Sequence, residues 1–135
     1  MDASVARLKP LAAIAFAVAC IAVAILSLLP GREMPSLDVW DKAQHFAAYA
    51  ALGGLGALAF WRPDRSWPLP LTACLALLGV ALELGQAFSP GRQPETGDAI
   101  ANVLGAGTGV VLMRSIFLPL YVLAVRCSRG RRARG

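Results

Sequence analysis

Charge is scarce in this chain, and so are the residue patterns that build soluble catalytic or metal-binding domains. Asp, Glu, Lys and Arg make up 16% of the 135 residues, hydrophobic residues make up 57%, and the mean hydropathy is +0.60. A water-soluble domain of this length has too little interior to hide that much apolar surface. The three cysteines, Cys20, Cys74 and Cys127, are isolated and odd in number, which excludes a disulfide framework and a CxxC metal site. His45 has no HExxH partner, and Ser89, the only serine near the polar residues described below, lacks a G-x-S-x-G context. Aromatic residues, at 7%, are not interleaved with basic ones. The net charge of +5 and pI near 9.7 therefore do not describe a nucleic-acid surface, because the basic residues sit at the chain ends and in one loop.

Long apolar runs are what the chain has instead. Residues 10–29 carry no charge, and at about 1.5 Å per residue they span the roughly 30 Å hydrocarbon core of a bilayer. Ala17-Val18-Ala19-Cys20 is an imperfect lipobox, but the apolar run continues well past Cys20, so an uncleaved anchor is expected. Further helices are expected at about 40–61, 67–88 and 98–114, with Trp67 in an interfacial belt and Pro68 and Pro70 in a first turn, where proline is tolerated. The fold class is thus all-α, a polytopic four-transmembrane-helix bundle forming a single domain over 1–135. Arg114 interrupts the last span, and the apolar run 115–125 is expected either along the interface or extending outward, with a bend permitted at Pro119. Arg7, Lys9, Arg62, Arg65, Arg126, Arg129, Arg131, Arg132 and Arg134 flank one side against Arg32, Lys42 and Arg92 on the other, which predicts cytoplasmic termini. The basic tail 126–135 is a topology anchor that can also meet anionic lipid.

The membrane-embedded polar residues cluster beside the two loops on the other side. Asp41, His45 and Tyr49 recur every four residues on one helical face that continues through Gly53 and Gly56. Glu83 and Gln86 lie three apart, and Asp98, Asn102, Gly105 and Gly109 form a third stripe, ending in a GxxxG pair that allows close helix approach. The second and fourth helices are expected to touch through Gly53, Gly56, Gly105 and Gly109. Counted from the loops, His45, Glu83 and Asn102 fall in one shallow layer, which predicts an outward-facing polar vestibule.

These residues carry a resemblance. Asp41-Lys42-x-x-His45-x-x-x-Tyr49, then Glu83-x-x-Gln86-x-x-x-Pro90-Gly91-Arg92, then Asp98-x-x-x-Asn102-x-x-Gly105-x-x-x-Gly109 resemble the motif set of the VanZ-like family over most of the span 41–113. The resemblance implies a small multi-pass protein of the bacterial plasma membrane, and the family's founding member is linked to resistance to the lipoglycopeptide teicoplanin. It implies no particular reaction, and the apolar run after Arg114 departs from the family pattern.

Each polar residue has a structural reading beside the functional one. Asp98 can be an N-cap, Asp41 a partner of the helix dipole, Asn102 a helix-to-helix bridge, His45 a hydrogen-bonded bundle residue and Arg92 a solvated turn residue. Glu83 resists this, since it lies near a helix C-terminus, where the dipole disfavours an anion, and ionisable residues within membranes are usually functional. Its expected partners are His45, Lys42 and Arg92. The binding set is therefore Asp41, Lys42, His45, Tyr49, Glu83, Gln86, Arg92, Asp98 and Asn102, with a lipid or glycolipid headgroup as partner, Lys42 and Arg92 meeting anionic oxygens and the acids meeting hydroxyls. The alternative is a membrane enzyme with Glu83 or His45, or else Asp98, as the acid–base group. A metal site of His45, Glu83 and Asp98 is disfavoured because its ligands are scattered over three helices, and no metal or cofactor is expected.

Overall fold

The computed structural model describes residues 3–30, 41–62 and 67–132, and the side chains of 8–30, 41–62, 67–124 and 127. The described residues are helical with no strand: α1 Ala3–Leu28, α2 Asp41–Ala59, α3 Pro68–Gln86, α4 Thr96–Leu112, a π-helical turn Met113–Phe117, and α5 Leu118–Arg132. Three stretches are long and apolar enough to cross a membrane, Leu8–Leu28, Pro68–Gln86 and Thr96–Ala124. α2 falls short of that measure, with Asp41, Lys42, Gln44 and His45 in its first turns. The expected start of the second helix at Trp40, the basic residues Arg32, Arg65 and Arg134, and the side chains of Arg7, Arg126, Arg129, Arg131 and Arg132 lie outside what is described, and with them the anionic-lipid contact of the tail.

The distribution of side chains is the reverse of a soluble protein's. Leu11, Ile14, Val18, Ile21 and Ile25 of α1, Leu69, Leu77 and Leu84 of α3, and Ile100, Leu104 and Val111 of α4 are exposed, whereas Glu83, Gln86, Asp98 and Asn102 are buried. Water would penalise that exposure, but lipid does not, and in lipid polar groups must find partners inside the bundle. The chain is a helical membrane protein.

The bundle is organised around the seam between α2 and α4. A Cβ at Gly105 would collide with the Phe46 carbonyl, one at Gly109 with the Ala50 carbonyl, and one at Gly53 with the Ala106 carbonyl. The two backbones are therefore in direct contact, a packing only glycine permits. Gly56 does not join this seam, contrary to expectation: its Cβ would meet Leu71 of α3 and Phe16 of α1, each at 3.0 Å. At about 100° per residue, Gly53 and Gly56 fall on opposite sides of the Tyr49 line, some 60° apart, Gly53 toward α4 and Gly56 toward α1 and α3. α1 packs on α2 through Phe16, Ala19, Cys20 and Val23, against a core of Tyr49, Leu52, Leu75 and Ala106.

The chain does not break at Arg114. The helix runs on from Thr96 to Arg132, and ahead of Pro119, where a bend is permitted, it widens into a π turn in which the Leu118 N–H bonds to the Met113 carbonyl. Pro119 has no N–H for the Ser115 carbonyl and its ring crowds that oxygen, and a widened turn relieves the crowding. Arg114 lies 5.7 Å above the Trp67 ring, whose Nε1 donates to the Arg62 carbonyl at 3.0 Å. α1 likewise begins at Ala3 rather than Pro10, carrying that proline inside the helix.

Candidate functional site

The C-terminal ends of α1 and α3 and the N-terminal ends of α2 and α4 meet at one end of the bundle, which concentrates the polar stripes. Two short connections shape it. After Gln86 the chain winds tightly, with Phe88 N–H on Gly85 O at 3.0 Å and Ser89 N–H on Gln86 O at 2.9 Å. It then turns at Gly91, whose φ of 77° is open to glycine at little cost. That turn carries Arg92 back over α1, where it donates to the Ser27 carbonyl at 3.3 Å, while the Ser89 hydroxyl donates to the Leu28 carbonyl.

His45 is the hub. Its Nδ1 lies 3.1 Å from Asn102 Oδ1 and 3.6 Å from Glu83 Oε1. On the other side of the ring, Nε2 lies 3.8 Å from Asp98 Oδ2 and 4.0 Å from Asp41 Oδ1. One imidazole thus stands among three carboxylates and an amide contributed by α2, α3 and α4. Asn102 is the helix-to-helix bridge the sequence suggested, seated against Gly79, where a Cβ would come within 2.9 Å of its own.

The cations are placed differently from expectation. Lys42 Nζ bonds to Glu95 Oε2 at 2.6 Å and lies 3.4 Å from Asp98 Oδ1, so it does not partner Glu83. Of the expected partners of Glu83, His45 faces it and Arg92 acts on it electrostatically while donating to Ser27, and Glu83 also accepts the Glu95 backbone N–H at 3.4 Å. The Lys42 ammonium, hydrogen-bonded to the exposed Glu95, holds that carboxyl below the ordinary carboxylate range. Asp98 is not an N-cap: α4 starts at Thr96 with Glu95 extended in the cap position, and Asp98 is buried in the first turn.

Two cavities open on this cluster. An open slot of about 130 Å³ between α1 and α2 has apolar walls of Val23, Leu26 and Ala48 and polar lining from Asp41, His45, Tyr49 and Arg92. A polar groove beside it is lined by Asp41, Gln86, Arg92, Glu95 and Asp98. Tyr49 Oη and Gln86 Nε2 are buried without a hydrogen-bond partner, in residues that line the slot and the groove respectively. Asp41, His45 and Asp98 each present a ligand atom, all within 4.8 Å of one another, whereas Glu83, the acid weighed for such a set from sequence, lies on the opposite edge of the ring.

The structure therefore brings together the nine residues singled out from sequence, around His45 rather than Glu83. It adds Glu95 and the Ser27 carbonyl. Glu95 and Lys42 are 53 residues apart, so no local spacing announces the pair. A family model described as VanZ/LLP1 matches residues 4–119. No curated protein and no solved structure matches the chain.

Proposed function

Because the chain belongs to the VanZ/LLP1 family, we propose that it is a four-span protein of the bacterial plasma membrane whose vestibule, facing outward, binds the headgroup of a lipid or glycolipid and thereby contributes to resistance to glycopeptides such as teicoplanin. The observation that carries this reading is the composition of the slot between α1 and α2. Its apolar walls suit an acyl or prenyl chain, and its polar end offers Asp41 to hydroxyls and Arg92 to a phosphate. Lys42, joined to Glu95 and Asp98, shapes the site and leaves the anionic oxygens to Arg92. α2 is the fourth span, since its glycine seam runs the length of its contact with α4 and its polar residues are confined to the site end. Native mass spectrometry of the full chain extracted in mild detergent should show one retained lipid, reduced by Arg92→Ala. A chain stripped of lipid under conditions that preserve its fold, with no rebinding, argues against the reading.

Both termini are placed in the cytoplasm by the nine-to-three distribution of basic residues. A reporter fused after Arg134 is accordingly expected to be active only as a cytoplasmic reporter, and an externally active fusion overturns the orientation of the vestibule. A second reading, an enzyme acting on a phospholipid or polyprenyl-phosphate-linked substrate with His45 or Glu83 as general base, is favoured by one observation: Asn102 orients the His45 ring by its Nδ1, as a base requires. Turnover assays on such substrates separate the two.

A further inference from the structure

The surroundings of His45 pose an electrostatic problem. On one edge, Nδ1 faces Asn102 Oδ1 and the Glu83 carboxylate, both acceptors, so the ring proton of a neutral imidazole belongs there. Nε2 then carries a lone pair, and it faces two further acceptors, oxygens of Asp98 and Asp41, at 3.8 and 4.0 Å. A lone pair there would be opposed by two carboxylates, so the arrangement calls for a cation at Nε2, either a second ring proton or a metal ion. Lys42 does not supply it, because its ammonium lies on the far oxygen of Asp98, toward Glu95.

We propose that Asp41, His45 and Asp98 form a binding site for a divalent transition-metal ion of the Zn2+ or Mn2+ class, with Asn102 and Glu83 as the outer groups that hold the imidazole. The ligand type fits: one imidazole nitrogen and two carboxylate oxygens, with bonds of roughly 2.0–2.2 Å, leave open positions on the ion. The three ligand atoms lie within 4.8 Å of one another, and the Asp41 side chain, 56% exposed, has the freedom to close onto the ion. An Nδ1–H held by an oxygen is the outer arrangement that metal-ligating histidines use.

A second, separate feature points to an occupant. Gln86 is 97% buried (3% exposed), its Nε2 has no partner, and it lines the groove that Asp41 and Asp98 also line. A buried amide nitrogen needs an acceptor, and an oxygen held on the ion supplies one. The open positions of the ion face the slot and groove, so its further ligand belongs to the oxygen class: water, hydroxyl or phosphate. The site does not depend on the amphiphile reading, because metal is measured whether or not lipid is retained.

The test uses the full chain in detergent micelles, stripped with a chelator and titrated separately with Zn2+, Mn2+ and Co2+ by calorimetry, with Co2+ also followed by visible absorption. One saturable ion per chain is expected. Asp41→Ala, at an exposed position, should melt like the stripped parent yet bind at least roughly tenfold more weakly, and His45→Gln should abolish binding. Cys20→Ser, Cys74→Ser and Cys127→Ser combined should leave affinity unchanged, which separates this site from adventitious thiol binding. Absence of saturable binding by the folded parent, or binding indifferent to both Asp41→Ala and His45→Gln, overturns the proposal.

Discussion

Gly109→Leu is expected to prevent the bundle from assembling, at a cost at or above the upper end of the 1–3 kcal/mol typical of overpacking. A Cβ at Gly109 would strike the Ala50 carbonyl carbon at 2.8 Å and the Gly54 nitrogen at 2.9 Å, besides the Ala50 oxygen. All of these are backbone atoms of α2, so no side-chain rotamer relieves the clash and α2 itself must move. Moving it also opens the contacts of Gly105 with Phe46 and of Gly53 with Ala106, since the three glycines lie along one seam. Close backbone approach of this kind also allows Cα–H···O contacts that vanish with separation. Gly107 is the matched control: its Cβ meets nothing nearer than Thr72 Cγ2 at 3.9 Å, so Gly107→Ala should accumulate and melt like the parent. Thermal melting in detergent, followed by size-exclusion profile, reads both. A Gly109→Leu chain that melts with the parent would mean that α2 and α4 are not in backbone contact.

The second large effect concerns the site. Glu83→Gln should accumulate normally in the membrane while losing whatever phenotype the protein confers, because it removes a buried charge with little change of shape, which is neutral or stabilising for the fold. His45→Ala should behave differently. Its removal leaves Glu83, Asp98 and Asn102 turned toward an emptied centre, and each buried polar group left without its partner costs about 1–3 kcal/mol. Its abundance should fall, and His45→Ala with Asp98→Asn should recover part of it. Arg92→Lys keeps the charge but loses the planar fork, so abundance should hold while function drops. The measurement pairs membrane abundance with glycopeptide susceptibility for each variant. Wild-type susceptibility at normal abundance in Glu83→Gln, His45→Ala and Arg92→Lys together would sink the vestibule as a functional site.

Much of this arrangement is legible from local spacing. The stripe Asp98, Asn102, Gly105 and Gly109 sits on the buried face of α4, and Glu83 and Gln86 face inward on α3, as the three- and four-residue intervals imply. Other features turn on angles too fine for that rule. Gly56 shares a stripe with Tyr49 yet packs on α1 and α3, because it lies on the other side of the Tyr49 line from Gly53 and there meets Phe16 and Leu71. Arg114 reads as the end of a span, but a charge at a helix end and a charge over an aromatic ring midway along a longer rod have the same sequence signature. The N-cap reading of Asp98 fails for a similar reason, since a cap and an acid in the first turn differ by a few positions.

Sequence alone determined the solvent this protein lives in, the helical class and the list of polar residues, because each depends on composition or on periodicity within one element, while the family rests on the resemblance of its whole motif set. Tertiary structure decided the pairings. That Arg92 caps the end of α1 follows from the turn at Gly91, and that Lys42 belongs to Glu95 and Asp98 and that His45 rather than Glu83 stands at the centre follow from how far α2 sinks against α4. That depth is set by backbone contact at Gly53, Gly105 and Gly109, and it brings side chains more than 50 residues apart within hydrogen-bonding distance. Periodicity places a residue on a face of its own helix, and only the packing of helix on helix chooses what that face meets.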